Sequence, residues 1–325
     1  MRSLLSRLAA VAAMAVVVCQ AGTAFAQSSD EVEKKIREEV SRRVSDAVAN
    51  RIGDQLVTGD VPAAEAPDPN SAWLTTSYSS ITSDDSSLVE ENGAKFQTDL
   101  VNVTFGADHR FGDSVFVGLS GAYAAADTKF ELTDFDDFDT DLESDSFTVS
   151  PYGAYVFHPN FFASGLFSYT YSDASSDNEF TGETDSDSQT FSTELAMNSV
   201  ATVAEDIILK GKVGWRFNYT ELLDFEQPGD DDVHSHALVA NAEAGYDLDW
   251  IVPYVGVQYE HVWPEKFFDD EGDEIDQGDT DYVFLSLGAR GRIGDSMQLG
   301  ASVRTELLND ETNQVGGAAE FRIRF

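Results

Sequence analysis

The run Ile207-Ile208-Leu209-Lys210-Gly211-Lys212-Val213-Gly214-Trp215-Arg216-Phe217-Asn218-Tyr219 decides the fold. In a pleated strand successive side chains point to opposite faces. Ile207, Leu209, Val213, Trp215, Phe217 and Tyr219 therefore share one face, and Lys210, Lys212, Arg216 and Asn218 share the other. A strand of this length, apolar on one side and charged on the other, fits a wall between lipid and water. The same texture runs from Ser71 to Phe325. Val101, Val103, Phe105 and Ala107 alternate with Asn102, Thr104, Gly106 and Asp108. Val283, Leu285, Leu287 and Ala289 alternate with Ser286, Arg290 and Arg292, and Met297, Leu299, Ala301 and Val303 with Gln298, Ser302 and Arg304. The final residues set Phe321, Ile323 and Phe325 against Glu320, Arg322 and Arg324.

Twelve such runs occur, centred near Thr76, Val103, Leu119, Pro151, Phe167, Leu195, Val213, Ala242, Val257, Leu287, Ala301 and Ala319. An even number returns both chain ends to one side of a membrane. The connections alternate. Short ones are Phe111-Gly112-Asp113, His158-Pro159-Asn160, the turn around Ala204-Glu205-Asp206, Asp247-Leu248-Asp249 and Ile293-Gly294-Asp295. Long ones run from Ser83 to Gly93, Lys129 to Asp141, Asp173 to Ser188, Leu222 to Val233 and Glu265 to Asp279, with a shorter one at Asp310. Outer-membrane barrels have short periplasmic turns and longer external loops, whereas a β-sandwich has no reason to alternate them. The expected fold is all-β, a 12-stranded antiparallel transmembrane β-barrel over residues 71–325 with an N-terminal α-helix.

Residues 1–26 have the pattern of a secretory signal peptide. Arg2 and Arg7 precede an apolar stretch from Leu8 to Val18, and Ala24-Phe25-Ala26 sets cleavage before Gln27. Cys19 lies before that cut, so the exported chain carries no thiol chemistry. Without Arg2 and Arg7, 18 basic residues face 59 acidic ones, a formal charge of −41. Such a balance excludes nucleic-acid binding through phosphate neutralisation. Within 27–57, Val32, Ile36, Val40, Val44, Val48, Ile52 and Leu56 recur every fourth position and predict a charged amphipathic helix. Ser29 or Asp30 can cap its start. A spacing of four overshoots the 3.6-residue repeat, so the stripe drifts round the helix. Residues 58–70, with Pro62, Pro67 and Pro69, read as a linker.

Acid concentrates in the long connections, as in Asp134, Asp136, Asp137, Asp139 and Asp141. The expected lumen face carries Lys210, Lys212, Arg216, Arg290, Arg292, Arg304, Arg322 and Arg324, with Glu194, Glu243, Glu260 and Glu320. These either pair along the wall or form a ring that selects permeants or grips a plug. His234 and His236, expected on an external loop beside Asp230 to Asp232, and the run holding Asp269, Asp273, Asp276 and Asp279 are weak metal candidates. They have neither closed ligand geometry nor EF-hand spacing. The acidic loops suit divalent cations bridging to lipopolysaccharide phosphates. Gly118-Leu119-Ser120-Gly121 is one residue short of a nucleophile elbow, so neither an enzyme nor a cofactor is expected. Trp73, Trp215, Trp250 and Trp263 are expected as lipid-interface anchors.

Residues 72–325 resemble the C-terminal translocator barrel of autotransporters. Val103 to Asp113, followed by Val117-Gly118-Leu119, is similar to that family's second hairpin. Pro253-Tyr254-Val255-Gly256-Val257-Gln258-Tyr259 resembles its proline-aromatic strand, and Leu287-Gly288-Ala289-Arg290 with Phe321-Arg322-Ile323-Arg324-Phe325 fits its end. The resemblance implies twelve strands, an outer-membrane location in a Gram-negative cell, and Phe321, Ile323 and Phe325 as the signal read by the barrel assembly machinery. In that family a helix just before the first strand occupies the pore; for this chain the resemblance does not by itself imply that, and the helix is expected in or near the lumen. Here a Pro-containing linker separates the helix from Trp73, and about 44 residues lie between the expected cleavage point and the first strand. The expected protein is therefore a passenger-less or short-passenger relative with a structural, surface or translocation-related role. The alternative is a porin-like channel for small solutes or cations.

Overall fold

The computed structural model describes residues 32–33, 35–52, 69–132 apart from 84–93, 139–178, 182–204, 206–223, 232–264, 267–268, 274–275, 280–294, 296–308 and 312–325. Twelve strands close a barrel. In chain order they begin with β1 (Asn70–Ser83), β2 (Ala94–Phe111), β3 (Val115–Leu132), β4 (Asp139–His158), β5 (Phe161–Asn178) and β6 (Gly182–Ala204). β7 (Ile207–Leu222), β8 (Asp232–Tyr246) and β9 (Ile251–Pro264) follow. After the two-residue strands β10 (Phe267–Phe268) and β11 (Glu274–Ile275), which pair only with each other, come β12 (Thr280–Ile293), β13 (Met297–Leu308) and β14 (Asn313–Arg324). Each barrel strand pairs antiparallel with its neighbours, and β1 closes on β14 in the register Ser71 with Arg324 to Thr82 with Asn313. Closure leaves no sheet edge, which lipid requires. Gly112 and Gly294 adopt φ of 60° and 63° in the β2–β3 and β12–β13 turns, where a residue without Cβ is unstrained.

The pleat sorts the side chains. Val101, Phe105, Leu195, Val213, Leu287, Val303 and Phe321 are exposed on the outer surface, where lipid would cover them. A ring of tyrosines marks the outer limit of this belt. Tyr78, Tyr123, Tyr171 and Tyr259 donate to Asp99, Asp145, Asp187 and Asp281 on adjacent strands at 2.6–2.8 Å. An amphipathic ring with a carboxylate beyond it belongs at a lipid–water boundary.

Above that boundary the structure departs from the expected loops. Of the expected loops Lys129–Asp141 and Asp173–Ser188, the described residues 129–132, 139–141, 173–178 and 182–188 are strand, because β3, β4, β5 and β6 keep pairing beyond the tyrosine ring. Their outer face carries acids and their inner face is mostly Ser, Thr and Ala, with Phe130 and Leu142 turned onto the helix, so most positions on both faces are polar or small and the hydropathy alternation fades while the pleat persists. Inner hydroxyls pair across the strands, Thr98 with Thr128, Ser146 with Ser172 and Thr190 with Thr220 at 2.8–2.9 Å.

Residues 32–33 and 35–52 are helical and make up helix α1 inside the barrel, spanning about 30 Å at 1.5 Å per residue. The expected capping residues Ser29 and Asp30, the signal segment and most of the linker lie outside the described residues. Val32, Ile36 and Val40 pack with Ile81, Phe96, Leu100, Phe130, Leu142 and Ala174 near the external end. Val48 and Ile52 pack with Trp73, Phe116, Tyr152, Phe162 and Leu166 near the periplasmic end. β1, β3, β4 and β5 contribute to both clusters. Barrel strands are tilted to the axis, so a stripe parallel to the axis would slide off them. The four-residue spacing makes the stripe wind and stay on the same strands.

Candidate functional site

The helix N-terminus points to the external mouth and its C-terminus to the periplasmic one. Its contacts reach β1, β2, β3, β6, β7, β9, β12, β13 and β14, which surround it. Every arginine on α1 is buried, and each meets a carboxylate.

At the external end Arg37 pairs with Glu33 at 2.5 Å and donates to Ser188 at 3.2 Å. At the middle Glu39 is a hub with 1% of its surface exposed. It accepts from Arg42, from Arg43 at 2.5 Å, and from Gln314 on β14 at 2.5 Å. Arg42 also reaches Glu260 on β9 at 3.0 Å, and its guanidinium sits over the rings of Tyr282 and Phe284 at 4.9 and 5.3 Å. Glu260 takes Arg216 at 2.9 Å, Arg216 takes Glu194 at 2.9 Å, and Glu194 takes Lys212. Arg304 on β13 joins Asp46 of the helix at 2.8 Å. Burying these charges costs several kcal/mol each unless they are paired, and the chain of contacts supplies the pairs.

Arg43 reaches the wall over Gly316. A Cβ there would lie 2.8 Å from Arg43 Nη2 and 2.6 Å from the Tyr78 carbonyl oxygen, so the close approach of helix to β14 requires glycine. At the periplasmic end Arg51 grips Asp108 with two hydrogen bonds, Nε to Oδ2 at 2.8 Å and Nη2 to Oδ1 at 2.6 Å, with both side chains fully buried. Ser71 and Tyr152 also donate to Asp108, and Trp73 Nε1 donates to the Tyr152 hydroxyl at 2.8 Å.

The structure places the lumen charges read from the sequence as follows. Arg216, Arg290, Arg322, Glu194 and Glu260 are buried inside the barrel, and Arg304 lies on the same face. Lys210 and Arg290 pair with Glu243 at 3.3 and 2.6 Å. Arg292, at the turn end of β12, lies 3.9 Å from Asp247 and is more open. Glu320 and Arg324 lie on the inner alternates of β14. Phe321, Ile323 and Phe325 are exposed on the outer face. Asp269, Asp273, Asp276 and Asp279 lie outside the described residues.

Two expectations are corrected. Trp73 is no lipid anchor: it faces inward with 3% of its surface exposed, because its neighbours Leu74, Thr76 and Tyr78 take the outer face. Trp215 and Trp250 are exposed, and Trp263 stacks on Trp215 with ring centroids 5.3 Å apart. His234 and His236 are strand residues of β8 rather than loop residues, packed against Tyr219 and Phe217 in the outer aromatic ring. Sequence reasoning missed Glu39, Asp108 and Tyr152. Asp108 stood in the quoted alternation as one of the polar inner positions, and that was its only signal.

This architecture has known relatives. The autotransporter β-domain model matches residues 72–230 and 209–323. No curated protein is similar in sequence. The transport unit of the autotransporter AIDA-I from Escherichia coli superposes with a TM-score of 0.62 at 15% identity, over 78% of this chain and 90% of that one. The β domain of the Bordetella autotransporter BrkA gives 0.64 at 14% identity, over 79% and 100%. The translocator domain of autotransporter NalP from Neisseria meningitidis gives 0.59 at 14% identity, over 87% and 98%. With its barrel matched from Ala72 to Ile323, the chain belongs to the autotransporter β-domain family of outer-membrane proteins.

Proposed function

We propose that this translocator-type barrel is held shut by its own N-terminal helix and acts as a closed surface protein rather than an open channel. The observation that carries this reading is the set of buried polar contacts along α1, Arg51 with Asp108 on β2, Arg42 with Glu260 on β9, Glu39 with Gln314 on β14 and Asp46 with Arg304 on β13, which ties the helix to strands around the lumen. A wall built to conduct would expose its charged groups to water, whereas these are spent on one another. In this reading the chain performs no catalysis. The test is planar-bilayer recording of the full-length protein beside a version lacking residues 27–57. The expectation is a quiet full-length protein and a conducting truncation. Identical conductance sinks the plug, and silence in both sinks the porin-like alternative for small solutes or cations.

The surrounding partners follow from the two surfaces. The apolar belt meets outer-membrane lipid, the terminal Phe321, Ile323 and Phe325 engage the barrel assembly machinery, and the acidic external face attracts divalent cations that bridge to lipopolysaccharide. Calcium titration that leaves melting temperature and loop proteolysis unchanged counts against the last of these.

A further inference from the structure

The lipid-facing wall is not even. On β6, β7 and β8 a row of small residues meets in register, Ser199 opposite Gly211 and Gly211 opposite Ala242. Above them the outer surface holds a groove of about 450 Å³. Met197 and Val213 stand along one side, each more than half exposed, while Phe161 closes one end and Tyr259 the other. A Cβ at Gly211 would lie 2.9 Å from Ser199 Oγ, which can rotate away, so the packing of the wall does not itself demand glycine. Glycine inside a strand weakens it and often marks a place where a ligand approaches the backbone.

The barrel sets the direction of the groove. Paired residues lie in rows across the strands, and the strands are tilted to the axis, so a row climbs through the membrane. Phe161 opens β5 directly after a periplasmic turn and pairs with Ser199, and the same row ends at Val257 on β9, paired with Ala242. At about 4.8 Å per strand the row is about 19 Å long. Tyr259, two residues beyond Val257, belongs to the external tyrosine ring. The groove therefore crosses the belt from its periplasmic side to its external side.

The two ends differ in polarity. Externally, Tyr259 donates to Asp281 at 2.6 Å, and that carboxylate repels phosphate. The periplasmic turn, His158-Pro159-Asn160, carries no carboxylate. In the next turn Asp206 accepts from Tyr246 on β8 at 3.2 Å. His158 is exposed and packs against Phe161 with ring centroids 5.5 Å apart. Its Nδ1 accepts from the Asn160 N–H at 3.1 Å, so the neutral ring carries its proton, and therefore a donor, on Nε2.

We propose that this groove holds one acyl chain of a phospholipid from the periplasmic leaflet, whose phosphate accepts from His158 Nε2. Water is excluded at this depth, and an unfilled groove forfeits dispersion contacts, so a hydrocarbon chain is its natural occupant. The floor is one residue row wide, which suits a single chain. A transmembrane helix, about 10 Å across, is too broad for it.

The test is native mass spectrometry of the full-length protein in detergent, with dipalmitoyl phosphatidylethanolamine added in one arm and lipid A in the other. The expected result is one phosphatidylethanolamine per barrel that survives removal of the micelle, and no retained lipid A. Ala242→Leu and Gly211→Leu fill the floor, and each is expected to lower occupancy about tenfold, the effect of displacing about two methylenes. His158→Phe keeps a ring against Phe161 but removes the donor, and is expected to lower occupancy about threefold or more. Val303→Leu, exposed on β13 outside the groove, is expected to leave it unchanged. Heat-modified gel mobility verifies that each barrel is folded. Phosphatidylethanolamine retained equally by the wild type and both floor variants overturns the proposal, as does none retained by the wild type. Lipid A retained in its place, or full occupancy in His158→Phe, overturns the choice of leaflet. Barrel dimers that Ala242→Leu abolishes would put a second copy in the groove and overturn the lipid.

Discussion

Asp108→Ala leaves Arg51 as an uncompensated charge in a fully buried position. The two side chains expose 0% of their surface and share two hydrogen bonds of 2.6 and 2.8 Å. Removing one member of such a pair costs about 3–5 kcal/mol, because the remaining charge has neither water nor a partner. The barrel wall keeps its backbone ladder, so the loss falls on the docking of α1. At about 1.4 kcal/mol per tenfold, the undocked population of the helix rises roughly a hundredfold to a few thousandfold. Amide exchange of residues 44–52 reads that population directly, because undocking opens the helix to solvent. Heat-modified mobility serves as the control for barrel assembly. Pairing Asp108→Ala with Arg51→Met is expected to restore much of the protection, since the stranded charge is gone. Exchange in Asp108→Ala that rises less than about threefold, in a folded barrel, would refute the argument that this pair holds the helix.

Three further outcomes are expected. Gly316→Val drives a side chain into the space of Arg43 and the Tyr78 carbonyl, costs about 1–3 kcal/mol, and raises the conductance of the full-length protein in planar bilayers. Trp73→Phe loses the bond to Tyr152 and costs about 0.5–1.5 kcal/mol, whereas Trp250→Phe, at an exposed position, stays within about 0.5 kcal/mol; denaturant unfolding in detergent compares the two. Asp173 lies directly opposite Asp145 on one side and Asp187 on the other, so Asp173→Asn raises the melting temperature at low salt, and the gain shrinks in 1 M salt, where the Debye length is about 3 Å.

The twelve strands, their order and the sides of their turns were legible in the chain because a pleat has a period of two. Where one face meets lipid and the other water, that period appears as hydropathy, as in Leu209 to Tyr219 or Phe321 to Phe325. The signal fails where the two surroundings stop differing. Beyond the tyrosine ring, Asp173, Ser175, Asp185 and Asp187 look out on water and Ser172, Ala174, Ser186 and Ser188 look in on a helix, so strand reads as acidic loop. It fails again at Trp73-Leu74, where both neighbours are apolar and only pairing with β2 and β14 sets which one points inward.

The helix divides in the same way. Its existence and its winding stripe follow from Val32 to Ile52 at every fourth position, a local property of the chain. Its charges gave no such guidance. Glu39, Arg42, Arg43 and Arg51 resemble the solvated face of any charged helix, and their partners Glu260, Gln314 and Asp108 stand 57 to 275 positions away. An ion pair needs two groups within about 4 Å, and no spacing along a sequence encodes a distance across a lumen. Closing the barrel around α1 turned those solvent-seeming charges into the interior of the protein.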